Sequence, residues 1–331
     1  MKAMSLSRPA RIERAPLKLV DLKRPDPGPG QIRIKVSACG VCHTDLHIVE
    51  GDIDLPRLPT VPGHEIVGVV DAVGEGTTRF QLGARVGIPW LHRACGECHY
   101  CATGKENLCS RIEFTGVHAD GGFAEWTLAN ESFAYDIPEA FSDIEAAPLL
   151  CAGVVGYRAL VRSGLKPGQR LGLYGFGASA HIVIQIARSW DCEVFVFTRN
   201  DRHRALARSL GAAWAQSADD DPGSLMDASI IFAPAGPLVP KALVRLHHGG
   251  TLVLGGIHMS EIPPLAYDLL WHERTVLSVA NSTRQDVINL LQVAAEIPIK
   301  SSIEPYSLEE SNEVLNKLKA GEVNGAAVLR L

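Results

Sequence analysis

From about residue 153 the chain alternates short apolar strands with helices, and before that point it does not. The stretch KPGQRLGLYGFGASAHIVIQIARSW reads as a turn, a short apolar strand, a Gly-rich turn and an apolar helix. CEVFVFTRN gives a second strand, and DRHRALARSLGA a second helix closed by a glycine. ASIIFAP, TLVLGG and TVLSVAN continue the series of strands. Near-continuous apolar strands separated by helices require a parallel sheet covered on both faces, so this part is expected to be doubly wound.

The preceding residues have another texture. RPDPGPG, at residues 24–30, breaks any regular element, and QIRIKVSACG then alternates as a half-buried strand. EIVGVVDAVG (65–74), RVGIPW (85–90) and GGFAEWTLA (121–129) carry on as Gly-punctuated strands. This predicts a partly closed β structure with few helices. VINLLQVAAEI and LEESNEVLNKLKAGE read as amphipathic helices, and GAAVLRL as a strand returning to the first domain. The expected division is residues 1–152 with 285–331, and 153–284. A chain of 331 residues exceeds what one core usually supports, which agrees with two domains.

Composition narrows the classes of function. A net charge of -5 gives no basic field for phosphate backbones, so nucleic acid is not expected as a partner. No run of about 18 apolar residues is available to cross a membrane. MKAMSLSRPARIERAPLKLV has charges throughout and no apolar h-region, so a cytoplasmic protein without a signal peptide is expected.

Cys95, Cys98, Cys101 and Cys109 follow the spacing C-x2-C-x2-C-x7-C. Four thiolates this close can surround one tetrahedral zinc with no open position, a structural site. The rival is an iron–sulfur cluster, but those runs close with a short gap and a proline, whereas Ser110 follows Cys109. A second group stands in GVCHTDLH and VPGHE, glycine-bounded segments that carry Cys42 and His64 and can converge. Cys151 lies far away, at the join of the domains.

GVCHTDLH, VPGHEIVGVVDAVGEG, the four-cysteine loop, LLCAGVVGY and a Gly-rich turn occur in the order seen in zinc-dependent medium-chain alcohol dehydrogenases, which this chain resembles over essentially its whole length. The resemblance implies a GroES-like β-barrel catalytic domain and a Rossmann domain. It implies Cys42, His64 and Cys151 as ligands of a catalytic zinc, hence two zinc ions per chain. Cys39, three residues before Cys42, is the alternative, but the family's ligand immediately precedes His-Thr-Asp. Glu65 resembles the glutamate behind the metal, and Asp45 the residue that orients the histidine ligand.

Zinc lowers the pKa of bound water from about 15.7 to about 7, and a bound alcohol is expected to behave similarly. The resemblance places Thr44 to take the proton from the substrate oxygen and His47 at the outer end of a relay through the cofactor ribose, where an imidazole is suited to the task. His43 matches a pyrophosphate contact. Trp90 is expected to line the substrate pocket. Ile53 stands where narrow-pocket members carry tryptophan, so substrates larger than ethanol are expected.

Gly175-Phe-Gly177-Ala-Ser-Ala180 fits G-x-G-x-x-A between a strand and a helix. Gly175 makes the tight turn, Gly177 lets the backbone reach the pyrophosphate, and Ala180 permits close packing. The acidic residue that binds the adenosine ribose in NAD-binding members is missing from VFVFTRND. Thr198 and Arg199 stand there instead, which favours NADP over NAD; Arg202 and Arg204 can assist, while Asp201 can restore ribose binding if the turn is shifted.

The leading expectation is an NAD(P)-dependent enzyme interconverting primary alcohols and aldehydes, a homodimer or homotetramer docking through edge strands such as TVLSVAN. The alternatives are an enzyme for secondary alcohols or polyols, and a non-catalytic module that binds zinc and nucleotide. Cys192 has no role beyond packing.

Overall fold

The computed structural model describes residues 1–297 and 299–331. Two compact units emerge: Met1–Cys151 with Asn281–Ala295 and Ser301–Leu331, and Ala152–Ala280 with Glu296–Lys300. The joins thus fall after Cys151 and Ala280 rather than after 152 and 284. Hydrogen bonds explain the second shift. Thr283 caps the following helix through Asp286 at 2.7 Å, and the Arg284 N–H donates to Glu106 of the first unit at 2.9 Å. Residues 296–300 group with the second unit, where Gln185 bonds both the N–H and the carbonyl of Lys300.

The first part of unit one contains strands β1 (Lys2–Leu6), β2 (Leu17–Asp21) and β3 (Gln31–Val41), helix α1 (His43–Glu50), and strands β4 (Glu65–Val73), β5 (Arg85–Ile88) and β6 (Leu91–Arg93). Helix α2 (His99–Ala102), strands β7 (Glu113–Phe114), β8 (Trp126–Asn130) and β9 (Tyr135–Asp136), and helix α3 (Asp143–Ala146) follow. In the second unit come α4 (Ala152–Arg162), β10 (Arg170–Tyr174), α5 (Ala178–Ser189), β11 (Glu193–Phe197), α6 (Asp201–Ser209), β12 (Trp214–Gln216), β13 (Met226–Ile231), α7 (Leu238–Val244), β14 (Leu246–Leu254) and β15 (Thr275–Ser278). The remainder is α8 (Arg284–Glu296), β16 (Ile303–Ser307), α9 (Ser311–Ala320) and β17 (Ala326–Arg330).

Unit one is built on β3. One edge pairs antiparallel with β4; the other is shared, residues 38–41 with β17 and residues 31–35 with β8. The full order is β16-β17-β3-β4-β5-β9. Two register breaks in the β3–β4 ladder bend the sheet, and bulges of this kind let a sheet curl towards closure. The inward side chains Ile32, Ile34, Ile66, Val70 and Ile88 are fully or almost fully buried. Burial of each contributes about 1.5–3 kcal/mol. The partly closed barrel and the few short helices agree with the Gly-punctuated texture. The pair β1–β2, in contrast, gave no clear alternation.

Where the sequence suggested a strand over 121–129, the ladder begins only at Trp126. A Cβ at Gly121 would stand 2.0 Å from the Gly63 carbonyl oxygen, so the backbone there is pressed against another chain segment instead of lying in a ladder.

Unit two is a six-stranded parallel sheet in the order β12-β11-β10-β13-β14-β15. Counted within the unit this is the Rossmann order 3-2-1-4-5-6, with the reversal between β10 and β13. Such reversals leave a crevice at the carboxyl ends of the strands, where nucleotides bind. Among the described residues no single helix is long and apolar enough to cross a membrane.

Candidate functional site

Strand β3 ends at Val41, and Cys42 is the N-cap of α1. Its sulfur accepts from the Thr44 N–H at 3.2 Å, while its own N–H donates to the Asp45 carboxylate at 3.0 Å. A helix N-terminus favours negative charge, so the cap presents a thiolate rather than a thiol. Burial opposes this, but contacts with Cys151, His64 and Thr44 hold the Cys42 thiol well below its usual value.

His64 arrives on the segment before β4. Its Nε2 lies 3.1 Å from the Cys42 sulfur, and its Nδ1 lies 3.1 Å from Asp45 Oδ1. Asp45 also accepts from the Gly63 N–H at 3.0 Å. Both His64 and Asp45 have no exposed surface. A carboxylate on Nδ1 fixes the tautomer with its lone pair on Nε2, the nitrogen beside the sulfur. Cys151, after a 3-10 turn at Ala147–Leu150, completes the group: donor atoms of Cys42, His64, Glu65 and Cys151 all lie within 4.8 Å of one another. Two sulfurs and one imidazole at these separations fit the donor set of an open zinc site. Cys39 lies elsewhere: it is buried on β3, its sulfur 2.9 Å and 2.8 Å from where Cβ atoms at Gly63 and Gly122 would stand.

Glu65 is the cross-strand partner of Gly40, and a Cβ at Gly40 would fall 1.8 Å from its carboxylate oxygen. The glycine leaves the space that carboxylate occupies. Thr44 and His47 stand three residues apart on α1 and so share a face. His47 Nδ1 meets Asp52 Oδ2 at 2.8 Å, a partner that sequence reasoning missed. The sole signal was an acid just beyond Gly51, the left-handed cap of α1. His43 is exposed. Trp90 sets its ring edge-on to His64 at 4.7 Å and stacks on Phe114 at 4.7 Å. Phe114 was not anticipated either. Ile53 is half-buried and packs, like Trp90, against the barrel core.

The four-cysteine loop brings Cys95, Cys98, Cys101 and Cys109 together, with all four sulfurs within 4.8 Å of one another. Tetrahedral zinc with bonds of about 2.3 Å sets its sulfurs about 3.8 Å apart. The Cys95–Cys101 and Cys98–Cys101 separations are 3.8 Å and 3.5 Å. Backbone N–H groups of Glu97 and Cys98 bring Cys95 down to about 6, whereas burial and its three sulfur neighbours push Cys101 up to about 12. Four crowded thiolates repel, and a dication is the charge that lets all four ionise.

In unit two, Gly175 follows β10 with φ +86°, and a Cβ there would meet the Ala233 nitrogen at 2.9 Å. Gly177 caps α5 in extended conformation with open space around it, and Ala180 is fully buried. The next residue, His181, is buried in the first turn of α5 and was not singled out from the sequence. After β11, Thr198 is buried and bonds to the Gln216 carbonyl at 2.7 Å, while Arg199 is exposed. Asn200 caps α6. Asp201 is the first residue of that helix, bonded to Arg204 at 2.9 Å, and Arg204 also donates to the Thr198 carbonyl. Arg202 is exposed. Cys192 is buried beside β11, its sulfur 3.4 Å from the Lys166 carbonyl.

Comparison with known proteins places this geometry. Residues 28–139 match the family model described as alcohol dehydrogenase GroES-like domain, and residues 180–296 match zinc-binding dehydrogenase. A Mycobacterium tuberculosis protein described as "Probable alcohol dehydrogenase AdhA" is 47% identical, with 99% of this chain and 97% of that protein covered. The solved cinnamyl alcohol dehydrogenase of Sorghum bicolor is 29% identical with TM-score 0.90, covering 99% of this chain and 97% of its own. The acetophenone reductase of Geotrichum candidum, solved with NAD, is 26% identical with TM-score 0.90, covering 100% and 97%.

Proposed function

The chain belongs to the zinc-dependent medium-chain alcohol dehydrogenases, oxidoreductases of small alcohols, and from that premise we propose an NADP-preferring enzyme that interconverts primary alcohols and aldehydes bulkier than ethanol. The observation that carries the reading is the convergence of Cys42, His64 and Cys151, with Asp45 behind the imidazole. These three hold a catalytic zinc, and Cys95, Cys98, Cys101 and Cys109 a structural one. Unit one is then the catalytic unit, and unit two binds the nicotinamide cofactor.

A zinc ion in the open site supplies Lewis acidity, which makes the substrate hydroxyl a far stronger acid. The rest of the task falls to side chains. Asp45 holds His64 in the tautomer a ligand needs. The Thr44 hydroxyl, on the same face of α1 as His47, would take the substrate hydroxyl proton while giving its own to the cofactor ribose hydroxyl, and His47, its ring oriented by Asp52, would receive the proton at the outer end. Glu65 stands beside the ligands as a carboxylate able to take the fourth position. Trp90, held flat by Phe114, and Ile53 line the substrate space, where a small Ile53 leaves room for aromatic groups.

For the cofactor, Gly175, Gly177 and Ala180 shape the turn for the pyrophosphate, with the α5 N-terminus facing it and His43 assisting. Asp201 is engaged by Arg204, so no free carboxylate ends β11, and Arg199 with Thr198 favours a 2′-phosphate. The likeness to the Geotrichum reductase favours a second reading, the reduction of ketones to secondary alcohols. Initial rates with cinnamaldehyde, butyraldehyde and acetophenone, each with NADPH and NADH, test both. Faster turnover of the aldehydes with NADPH is expected. A preference for acetophenone overturns the primary-alcohol reading, and a preference for NADH the reading of Thr198 and Arg199.

A further inference from the structure

The segment between β1 and β2 holds an unusual charge arrangement. RPARIERAPLK contains Arg8, Arg11, Arg14 and Lys18 against one acid, Glu13. Glu13 pairs with Lys319 at 2.8 Å, the leading cause that holds its carboxyl below the usual value, with Arg11 a lesser one. The four cations remain, and all four line one concavity of about 500 Å³ in which no acidic residue takes part. Among the described residues none of the four has an ion pair or a side-chain hydrogen bond. Some arginines elsewhere are matched, Arg33 with Asp71, Arg57 with Asp120 and Arg85 with Asp143.

The cations are carried on a fixed loop. Ala10 N–H donates to the Val49 carbonyl at 3.0 Å and Ile12 N–H to Glu50 at 2.8 Å. Asn312 bonds both the N–H and the carbonyl of Leu17. Ile12 and Leu17 are buried beneath. Ala15 adopts the left-handed region at φ +46°, a conformation that a non-glycine residue keeps only where its surroundings enforce it. All four side chains are exposed, so the loop presents them to solvent from a fixed backbone.

We propose that this concavity is a binding site for a small polyphosphate anion. Planar guanidinium forks match phosphate oxygens in pairs, and several cations lining one depression favour an anion of high charge over chloride. The shared chemistry is the diphosphate group, free or carried on a nucleotide.

Calorimetric titration of the zinc-loaded full chain, with the cofactor site saturated by NADP, tests this with pyrophosphate and with ADP. Binding in low salt is expected for pyrophosphate, weakened about tenfold or more by Arg11→Gln/Arg14→Gln and weakened again as ionic strength screens the site. Zinc content and alcohol dehydrogenase activity should stay unchanged in that variant. Binding of ADP as tight as that of pyrophosphate marks a nucleotide as the natural source; binding of pyrophosphate alone marks a free anion. Equal affinity of the variant and the unaltered chain overturns the proposal. So does a signal matched by sulfate at equal ionic strength, which would mean an adventitious ion only.

Discussion

At the scale of single residues, everything turns on what stands around His64. Cys42→Ser or His64→Ala is expected to lower turnover by about a thousandfold or more, because each removes a donor from the open site. Metal analysis should then return one zinc per chain, the one held by the four-cysteine loop. A variant with unaltered activity would remove Cys42, His64 and Cys151 from the chemistry. Asp45 accepts from three donors, Cys42 N–H, Gly63 N–H and His64. Asp45→Asn should weaken metal affinity by about 10–100-fold in a chelator competition, since partners behind a ligand tune it by that amount. Arg199→Ala should reduce the ratio of kcat/KM for NADPH over NADH by about tenfold or more, the size expected from losing a charge-assisted hydrogen bond. These positions were legible as motifs. Asp52 and Phe114 were not, because each acts through a neighbour, and no spacing rule links an acid beyond a helix cap, or one aromatic in a two-residue strand, to a ring in another element.

Elements explain which parts of the fold could be read ahead. In β10, β11 and β13, and over residues 252–253 of β14, successive residues are buried, so these strands read as short apolar runs, and the helices between them keep their own period. The strands β1 and β2 were obscure because Leu19 is exposed and charges intervene, leaving a mixed pattern. The stretch before β8 misled because Gly121 lets another backbone come close and Gly122 makes room for the Ile66 and Cys39 side chains, uses that look like strand punctuation in one dimension. The four-cysteine loop makes its own prediction. Its 3-10 turn carries Glu106, buried, accepting both the backbone N–H and the side chain of Arg284 at the start of α8. Glu106→Gln should cost about 1–3 kcal/mol, seen as a lower midpoint in thermal unfolding. Chelating the metal proposed for Cys95, Cys98, Cys101 and Cys109 should instead expose residues 95–109 to limited proteolysis while the parallel sheet keeps its far-ultraviolet signal. Intact digestion patterns after verified loss of that metal would mean that the loop holds its shape without it.

For the whole molecule, the sheet of unit two ends at β15, whose outer edge has no strand partner among the described residues. Nearby Tyr267 and Trp271 are 67% and 62% exposed and in ring contact at 5.6 Å. An open edge, here four residues, with exposed aromatic rings close by in sequence invites association, so light scattering is expected to give a homodimer or homotetramer of the 35.6 kDa chain. A stable monomer at micromolar concentration would rule out that edge as a docking surface. The other unit carries a different consequence. Residues 38–41, which deliver Cys42 to its place, are paired with residues 327–330. On the ribosome, the strand that shapes the catalytic site therefore waits, half its edge open, until hundreds of further residues have been made. The parallel sheet can form in that interval, because its strands lie in one continuous run. Closure of that edge therefore comes late, and the four cysteines of residues 95–109, gathered within fifteen residues, are complete long before Cys42 and Cys151 can meet.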